Sequence, residues 1–378
     1  MNKYKITLVL FCLILAIAGC KKDSIIFNPI PPYGGGIVTL QGIAGTETGE
    51  NAANSVFMDL SKNNLNTISR RGWDLGFYTG PEFKVIINHS TGASAIALDK
   101  TDLNAVSKAV DSNAVLATLP FGNSLTTVDP VTGLFADYIA NTAIKEIPQN
   151  SADSKVYIIS RGIAGGLGTG TNLTNDIPWI KVKITRLNSG YSVTYGGLDD
   201  QTYRTVNIVK DASYNFKYLS FSSSVAAAEP GKTTWDIEWT RSTYKKFASG
   251  SSGTEIPYSE PDFVLLNSNA GVTAAQLIFT GSQANSSVTY EKFADADINN
   301  IPATQFSAAR DAIGNKWRNT TPPAVIAVFV DRYYIIHDTD GNYYKLRFTK
   351  FNSSDGGSRG RPVVEYQLVR AAPVVTPK

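Results

Sequence analysis

The sequence contains two histidines, the residues with the most versatile chemistry in the chain. His89 follows an apolar run at 85–88, and His337 follows a second apolar run at 334–336. Imidazole is a common axial ligand of haem iron and titrates near neutral pH, so the pair could ligate one iron. The alternative is two ordinary surface histidines at strand ends, because nothing in their spacing makes them converge.

No set of residues in the sequence predicts an enzyme. A Ser-His-Asp site needs a histidine beside a nucleophile, yet no G-x-S-x-G stands between a strand and a helix. The glycine-rich segment 162–170 is followed by no helix-forming run that could bind phosphate, so we expect a hairpin loop. Paired catalytic carboxylates stay open, because only geometry identifies them. We expect no enzymatic activity and name no catalytic residue.

Two aspartates near the end of the chain raise the question of calcium. Asp338 and Asp340 stand in the segment 338–342, between two runs that are rich in strand-forming residues. The later glutamate of an EF-hand loop is missing, and Gly341 tolerates the positive φ that tight hairpins need. We predict a hairpin turn here and no structural metal.

Cys20 ends a segment with the features of a bacterial lipoprotein signal. Residues 1–19 begin with Lys3 and Lys5, continue as an apolar run at 6–17, and end in small residues. The run is too short to span a bilayer. Residues 17–20 resemble the lipobox, in which the thiol is acylated, with chains such as palmitate, and becomes the first mature residue. The alternatives are an uncleaved anchor, or a cleaved signal followed by an incidental cysteine.

Composition narrows the remaining possibilities. The formal net charge of +3 includes the two signal lysines, so the mature chain is close to neutral and has no electrostatic footprint for nucleic acid. Cys12 leaves with the signal and Cys20 carries lipid, so no thiol remains for a disulfide, a zinc site or a nucleophile. The many Tyr, Phe, Val, Ile and Thr residues favour strands.

The mature sequence repeats itself in four blocks that keep their order. The matching segments are 58–61 with 219–222, 73–77 with 235–239, 85–88 with 264–267, and 157–159 plus 179–187 with 334–336 plus 343–351. Residues 179–187 and 343–351 agree in residue class at every position, so chance is a poor explanation. We infer an internal duplication.

These observations predict a mainly β protein made of two related antiparallel units, with few short helices. The signal peptide is 1–19, a tether covers 20–36, the units cover 37–210 and 211–370, and 371–378 form a tail. The expected helices are 101–110, with Asp102 near its start, and 304–313. The tryptophans of the second block are expected in the core.

The blocks, taken together behind the lipobox, resemble the HmuY-type haem-binding lipoproteins of Bacteroidetes. The resemblance rests on the Trp-Asp strand, the Asn-containing apolar strand and the terminal hairpin at 342–348, and it is closest through 360–366. It covers most of the mature chain in both units. It implies a mostly β lipoprotein of the outer membrane, which captures haem between two axial side chains and passes it to a TonB-dependent transporter.

Family members that bind haem use paired histidines or paired methionines. The mature chain offers only His89, His337 and Met58 for that role, and neither kind of pair aligns with family motif positions. His89 with His337 is the natural candidate pair, while Met58 lies in a strand and is expected in the core.

A second hypothesis keeps the fold but not the haem. The lipoprotein would then bind a glycan, a peptide or a partner protein through loops such as 82–84 or 249–260. The sequence leaves open whether the protein faces the periplasm or the cell exterior.

Overall fold

The computed structural model describes residues 30–109, 111, 115, 119–122, 124–162, 178–248 and 253–373. The predicted signal peptide with Cys20, most of the tether, residues 163–170 of the glycine-rich segment and residues 374–378 of the tail lie outside these ranges. Pro32–Pro373 form one compact unit. Within the described residues, no helix is long and apolar enough to cross a membrane.

The protein is mainly β, with 38% strand and 11% helix, which confirms the predicted class. Two short α-helices are described, α1 (Phe135–Ala140) and α2 (Asp295–Ile298). The described strands are β1 (Gly35–Thr39), β2 (Asn54–Asp59), β3 (Asn64–Ser69), β4 (Leu75–Tyr78), β5 (Val85–Ile87), β6 (Ser94–Ala97), β7 (Val156–Ser160), β8 (Ile180–Leu187), β9 (Gly190–Gly197), β10 (Arg204–Val209), β11 (Phe216–Ser220), β12 (Ser224–Ala226), β13 (Ile237–Phe247), β14 (Glu255–Leu266), β15 (Thr273–Ile278), β16 (Arg318–Asn319), β17 (Ala327–Val328), β18 (Arg332–His337), β19 (Tyr343–Lys350) and β20 (Val363–Arg370).

Four larger antiparallel sheets organise these strands. Two are five-stranded, with the orders β1-β20-β19-β18-β15 and β10-β9-β8-β7-β6. Two are four-stranded, with the orders β12-β11-β4-β5 and β14-β13-β2-β3, and β16 with β17 forms a small extra ribbon.

Each five-stranded sheet packs against one four-stranded sheet through a hydrophobic core. One core joins side chains of β2, β13 and β14 with side chains of β15, β18, β19 and β20, and it contains the fully buried Met58. The other joins β4, β5 and β11 with the strands from β6 to β10. Burial of these alternating apolar faces supplies the main driving force for folding.

The two four-stranded sheets also share a core on their other faces. This third cluster contains Ile86 from one sheet and Phe263 and Leu265 from the other. Trp73 belongs to it and is buried, as is Trp235, which confirms the core position predicted for the tryptophans.

Corresponding sequence blocks occupy corresponding registers. In the first, Leu75 pairs with Ile87 and Phe77 with Val85. In the second, Ile237 pairs with Leu266 and Trp239 with Val264.

The asparagine that follows each apolar strand makes equivalent hydrogen bonds in the two halves, because its side-chain amide donates to two backbone carbonyls. Asn88 Nδ2 donates to the carbonyls of Arg70 and Trp73 at 2.8 and 2.7 Å. Asn267 Nδ2 donates to the carbonyls of Lys232 and Trp235 at 2.7 and 2.8 Å. The duplication itself stays a prediction, and these matched hydrogen bonds support it.

Strand pairing crosses the predicted boundary at residue 210 in both directions. The early strands β1 and β2 pair with the late strands β20 and β13. Conversely, β11, which follows residue 210, pairs with β4. The boundaries 37–210 and 211–370 stay a prediction, but each five- and four-stranded pair of sheets draws strands from both sides of residue 210.

The predicted helices are mostly replaced by other structure. Within 101–110 only a 3-10 helix, Leu103–Ala105, and the helical residues 108–109 are described, and the Asp102 side chain accepts from Asn104 N at the start of the 3-10 helix. The helix predicted at 304–313 is wrong, because that segment contains only the end of a 3-10 turn, Ala303–Gln305. Its backbone instead forms bridges with other segments, such as Ser307 with Ala274.

The turn predicted at 338–342 is confirmed. It joins β18 to β19, and Gly341 has a φ of +89°. The Asp338 carboxylate accepts hydrogen bonds from the backbone N–H groups of Asp340 and Asn342, at 3.0 and 2.7 Å. Those bonds explain the aspartate as a turn residue.

Candidate functional site

His89 is packed into the protein interior. It follows β5 and is 6% exposed. Its Nδ1 lies 3.3 Å from Ser242 Oγ, and its ring meets Trp73 edge-on with 5.8 Å between ring centres. Burial lowers the pKa of the imidazole to about 3, so the ring is neutral at neutral pH. A neutral imidazole is the form that ligates metals, but this one is enclosed by protein.

His337 is more accessible. It ends β18 and is half-buried, opposite Thr273 on one side and Tyr343 on the other. Its ring stacks on Tyr343, with 4.4 Å between ring centres and 20° between planes. One face of this imidazole is therefore already occupied by an aromatic ring.

The described contacts do not bring the two histidines together. Their neighbours have no residue in common, and Met58, the third side chain of the kind that could ligate haem iron, is fully buried in a hydrophobic core. Across the described ranges, no group of three or more His, Cys, Asp or Glu side chains could hold a metal ion.

The cavity beside His89 is too small for a porphyrin. Its volume is about 30 Å³, and its walls include Trp73, Glu229, Glu238 and Arg310. Pockets that enclose small organic ligands typically measure about 300–1,000 Å³. A cavity of this size suits one or two water molecules instead. The residues around His89 therefore do not fit haem in this conformation.

A buried polar cluster surrounds that cavity, and it was not predicted from the sequence. Glu229 accepts hydrogen bonds from Tyr218 Oη and Asn215 Nδ2, each at 2.6 Å, and from Trp235 Nε1 at 3.2 Å. The Arg310 guanidinium lies 4.0 Å from the centre of the Tyr138 ring. Arg310 Nη1 has no hydrogen-bond partner among the described residues, so this cluster is only partly satisfied.

Glu238 is a second buried carboxyl of the cluster. It stands on β13 between Ile237 and Trp239, on the face that the other four-stranded sheet covers. Burial raises its pKa to about 7, while a hydrogen bond with Ser55 and the charge of Arg310 lower it. Residues 235–239 alternate apolar with acidic side chains, and the tertiary structure buries the acidic face as well as the apolar one.

The loops of the second hypothesis have different outcomes. Residues 82–84 form a loop, in which the Phe83 ring lies under the cations of Arg186 and Lys210, at 4.3 and 3.9 Å. Of the loop predicted at 249–260, residues 249–252 lie outside the described residues, and the prediction is wrong for 255–260, which belong to β14. That strand pairs with β13 as far as Phe247 and Glu255, whereas β2 pairs with residues 237–239 of β13. The β13–β14 pair therefore extends beyond the part of the sheet that β2 completes.

Comparison with known proteins decides the family. The model of the HmuY family, described as HmuY protein, matches residues 51–366. The chain belongs to the HmuY family. The matched range includes both histidines and strands of all four larger sheets. Searches among curated proteins and among solved structures found no match.

Membership of the HmuY family makes haem the expected class of ligand, because the family is associated with haem binding. The family match therefore points to haem, whereas the geometry supplies one accessible imidazole and one enclosed imidazole. A bis-histidine site is not formed by the described contacts.

The buried Glu238 gives the stability of the protein a distinctive pH dependence. A carboxyl whose pKa is raised on folding stabilises the native state below its unfolded pKa, and this contribution is lost as the pH rises through the folded pKa. For Glu238 the window runs from about 4.5 to about 7. We expect the variant Glu238→Gln, which mimics the protonated group, to be more stable than wild type at pH 8 but not at pH 5.

Urea unfolding of both proteins at the two pH values measures this difference. The exposed Glu82, which loses no burial on unfolding, supplies the control Glu82→Gln. An equal change in stability at pH 5 and pH 8 for Glu238→Gln would contradict the assignment.

Proposed function

We propose that this protein is a haem-capturing lipoprotein, which binds haem at the cell envelope and passes it to a TonB-dependent outer-membrane transporter. The observation that carries the proposal is the family match over residues 51–366. The mainly β architecture agrees with it. We propose no enzymatic activity.

The proposal assigns His337 as the first candidate ligand and His89 as the second. His337 is partly accessible, and its ring stacks on Tyr343. His89 contacts Trp73 and Ser242 inside the protein, so it would reach a ligand only if that packing opened. The difference in burial between the two imidazoles supports this order.

The proposal also assigns Cys20 as the membrane anchor. Several acyl chains on one residue hold a protein stably at a bilayer, whereas a single chain holds it weakly. Of the tether predicted at 20–36, Gly35 and Gly36 pair with β20 in the folded unit. The preceding Pro29, Pro31 and Pro32 have a composition typical of a spacer between a folded body and its anchor. We propose an outer-membrane location on this basis.

Haem capture predicts a spectral change when haemin is added to the purified protein. We expect a shifted Soret band, lost in His337→Ala because the accessible imidazole is removed. Loss in His89→Ala as well would show that the second ring also ligates. The control is Lys350→Ala, at the exposed end of β19. A wild-type spectrum that stays that of free haemin would contradict the proposal.

Lipidation predicts that the cell-envelope location depends on Cys20. We expect Cys20→Ala to lose incorporation of a labelled palmitate analogue and to leave the membrane fraction, since the acylated thiol is gone. The matched control is Cys12→Ala, which removes the other cysteine from within the signal. Equal labelling of the wild type and Cys20→Ala would show that the anchor lies elsewhere.

A further inference from the structure

A second, larger recess lies away from both histidines. It is an open groove of about 520 Å³ beside the long β13–β14 pair, and we call it the Tyr258 groove. Its walls include Tyr244 and Lys246 from β13, Tyr258 from β14, and Lys316 and Asn319 from the segment around β16. The volume is within the range of pockets that hold a small organic ligand.

The lining of the groove contains four cationic side chains and two carboxylates, so positive charge is in excess. Two of its arginines are paired, since Arg318 Nη2 lies 2.8 Å from Glu260 and Arg359 Nη1 lies 2.6 Å from Glu50. The two lysines of the groove, in contrast, have no carboxylate partner among the described residues.

Neither lysine of the groove lies within 4.0 Å of a carboxylate in the part of the chain that the structure describes. Lys246 Nζ instead lies 3.8 Å from the centre of the Tyr258 ring. Lys316 Nζ donates to the carbonyls of Asp311 and Ala312, each at 3.2 Å. Neither ammonium group is therefore neutralised by a carboxylate, and both can attract an anionic group in the groove.

The tyrosines add apolar faces to a polar recess. Tyr244 and Tyr258 meet edge-to-face, with 6.0 Å between ring centres and 88° between planes, and both are half-buried. Burial raises the pKa of the Tyr244 hydroxyl to about 12, so it stays protonated and can donate a hydrogen bond. Asn315, Asn319 and Thr321 add polar groups to the lining.

The polar and aromatic lining of the groove favours a sugar over haem as a ligand. A porphyrin needs walls that are mostly apolar, whereas this lining is mostly amide, hydroxyl and charged groups. A sugar ring presents an apolar C–H face to an aromatic ring and many hydroxyls to polar neighbours. Spare ammonium groups add a preference for a sugar with a carboxylate.

We propose that the Tyr258 groove binds an acidic sugar residue of a glycan, with its ring against the Tyr244–Tyr258 pair and its carboxylate between Lys246 and Lys316. The proposal is independent of haem binding, because the groove shares no lining residue with the surroundings of either histidine. It gives the protein a second ligand class.

The test is a binding measurement with the full chain in detergent micelles. The probes are oligosaccharides that contain galacturonic, glucuronic or sialic acid, together with the same oligosaccharides after reduction of the carboxyl groups. We expect at least one acidic oligosaccharide to bind, its reduced form to bind about fivefold or more weakly, and added salt to weaken binding.

Neighbouring lysines supply a matched pair of variants. Lys246→Gln is expected to weaken binding about fivefold, whereas Lys245→Gln is expected to leave it unchanged, because Lys245 is exposed outside the groove and lies near Glu255 at 3.8 Å. Tyr258→Ala is expected to weaken binding about tenfold through the loss of stacking.

Several results would overturn the proposal. One is that the protein binds none of the acidic oligosaccharides. Another is that the reduced oligosaccharides bind as tightly as the acidic ones. A third is that Lys246→Gln and Lys245→Gln change the binding affinity equally. Circular dichroism of each variant checks that the fold is kept, and a variant that lost its fold would be replaced by Lys316→Gln, at an exposed position.

Discussion

In each four-stranded sheet, one buried aspartate joins two strands that are distant in the sequence. Asp74 Oδ2 accepts a hydrogen bond from Phe221 N at 2.7 Å, and Asp236 Oδ2 accepts one from Leu60 N at 2.8 Å. A buried carboxylate is tolerated only when such donors replace its lost water. The corresponding aspartates of the two Trp-Asp strands therefore fix the end of β11 beside β4 and the end of β2 beside β13.

This constraint determines where the functional side chains lie. The four-stranded sheets carry their apolar faces into two separate cores and turn their other faces towards a shared cluster. His89 and Glu238 are enclosed in or beside that shared layer, where burial makes the imidazole neutral and raises the pKa of the carboxyl. His337 stands at a strand end in a five-stranded sheet, which leaves it partly accessible. The Tyr258 groove lies beside the part of β13 and β14 that follows the segment paired with β2.

Much of the local structure was predictable, because it depends on neighbouring residues. The abundance of strand-forming residues indicated a mainly β protein, Gly341 indicated the hairpin turn, and the block match of 85–88 with 264–267 paired Asn88 with Asn267. Strand partners were not predictable, since alternation shows which face is apolar but not which distant strand supplies the hydrogen bonds. The helix expected at 304–313 failed for the same reason, because bridges to distant segments use its backbone.

The candidate site was predictable only as a set of residue types. The scarcity of His and Met singled out His89, His337 and Met58, and the burial of Met58 followed from its strand. Nothing local distinguished the enclosed imidazole from the accessible one, because the enclosing residues Ser242 and Trp73 lie on different segments. The Tyr258 groove was missed because its lysines are separated by 70 residues and meet only through the fold.

Early strands of the chain complete the sheets that the late part of the chain forms. Circular dichroism and thermal unfolding of two fragments test this dependence most directly. Residues 72–229 contain every strand from β4 to β12 and are predicted to unfold cooperatively. Residues 211–373 lack β1, β2 and β3 and are predicted to have no cooperative transition until residues 30–70 are joined to them. Cooperative unfolding of 211–373 alone would contradict the claim.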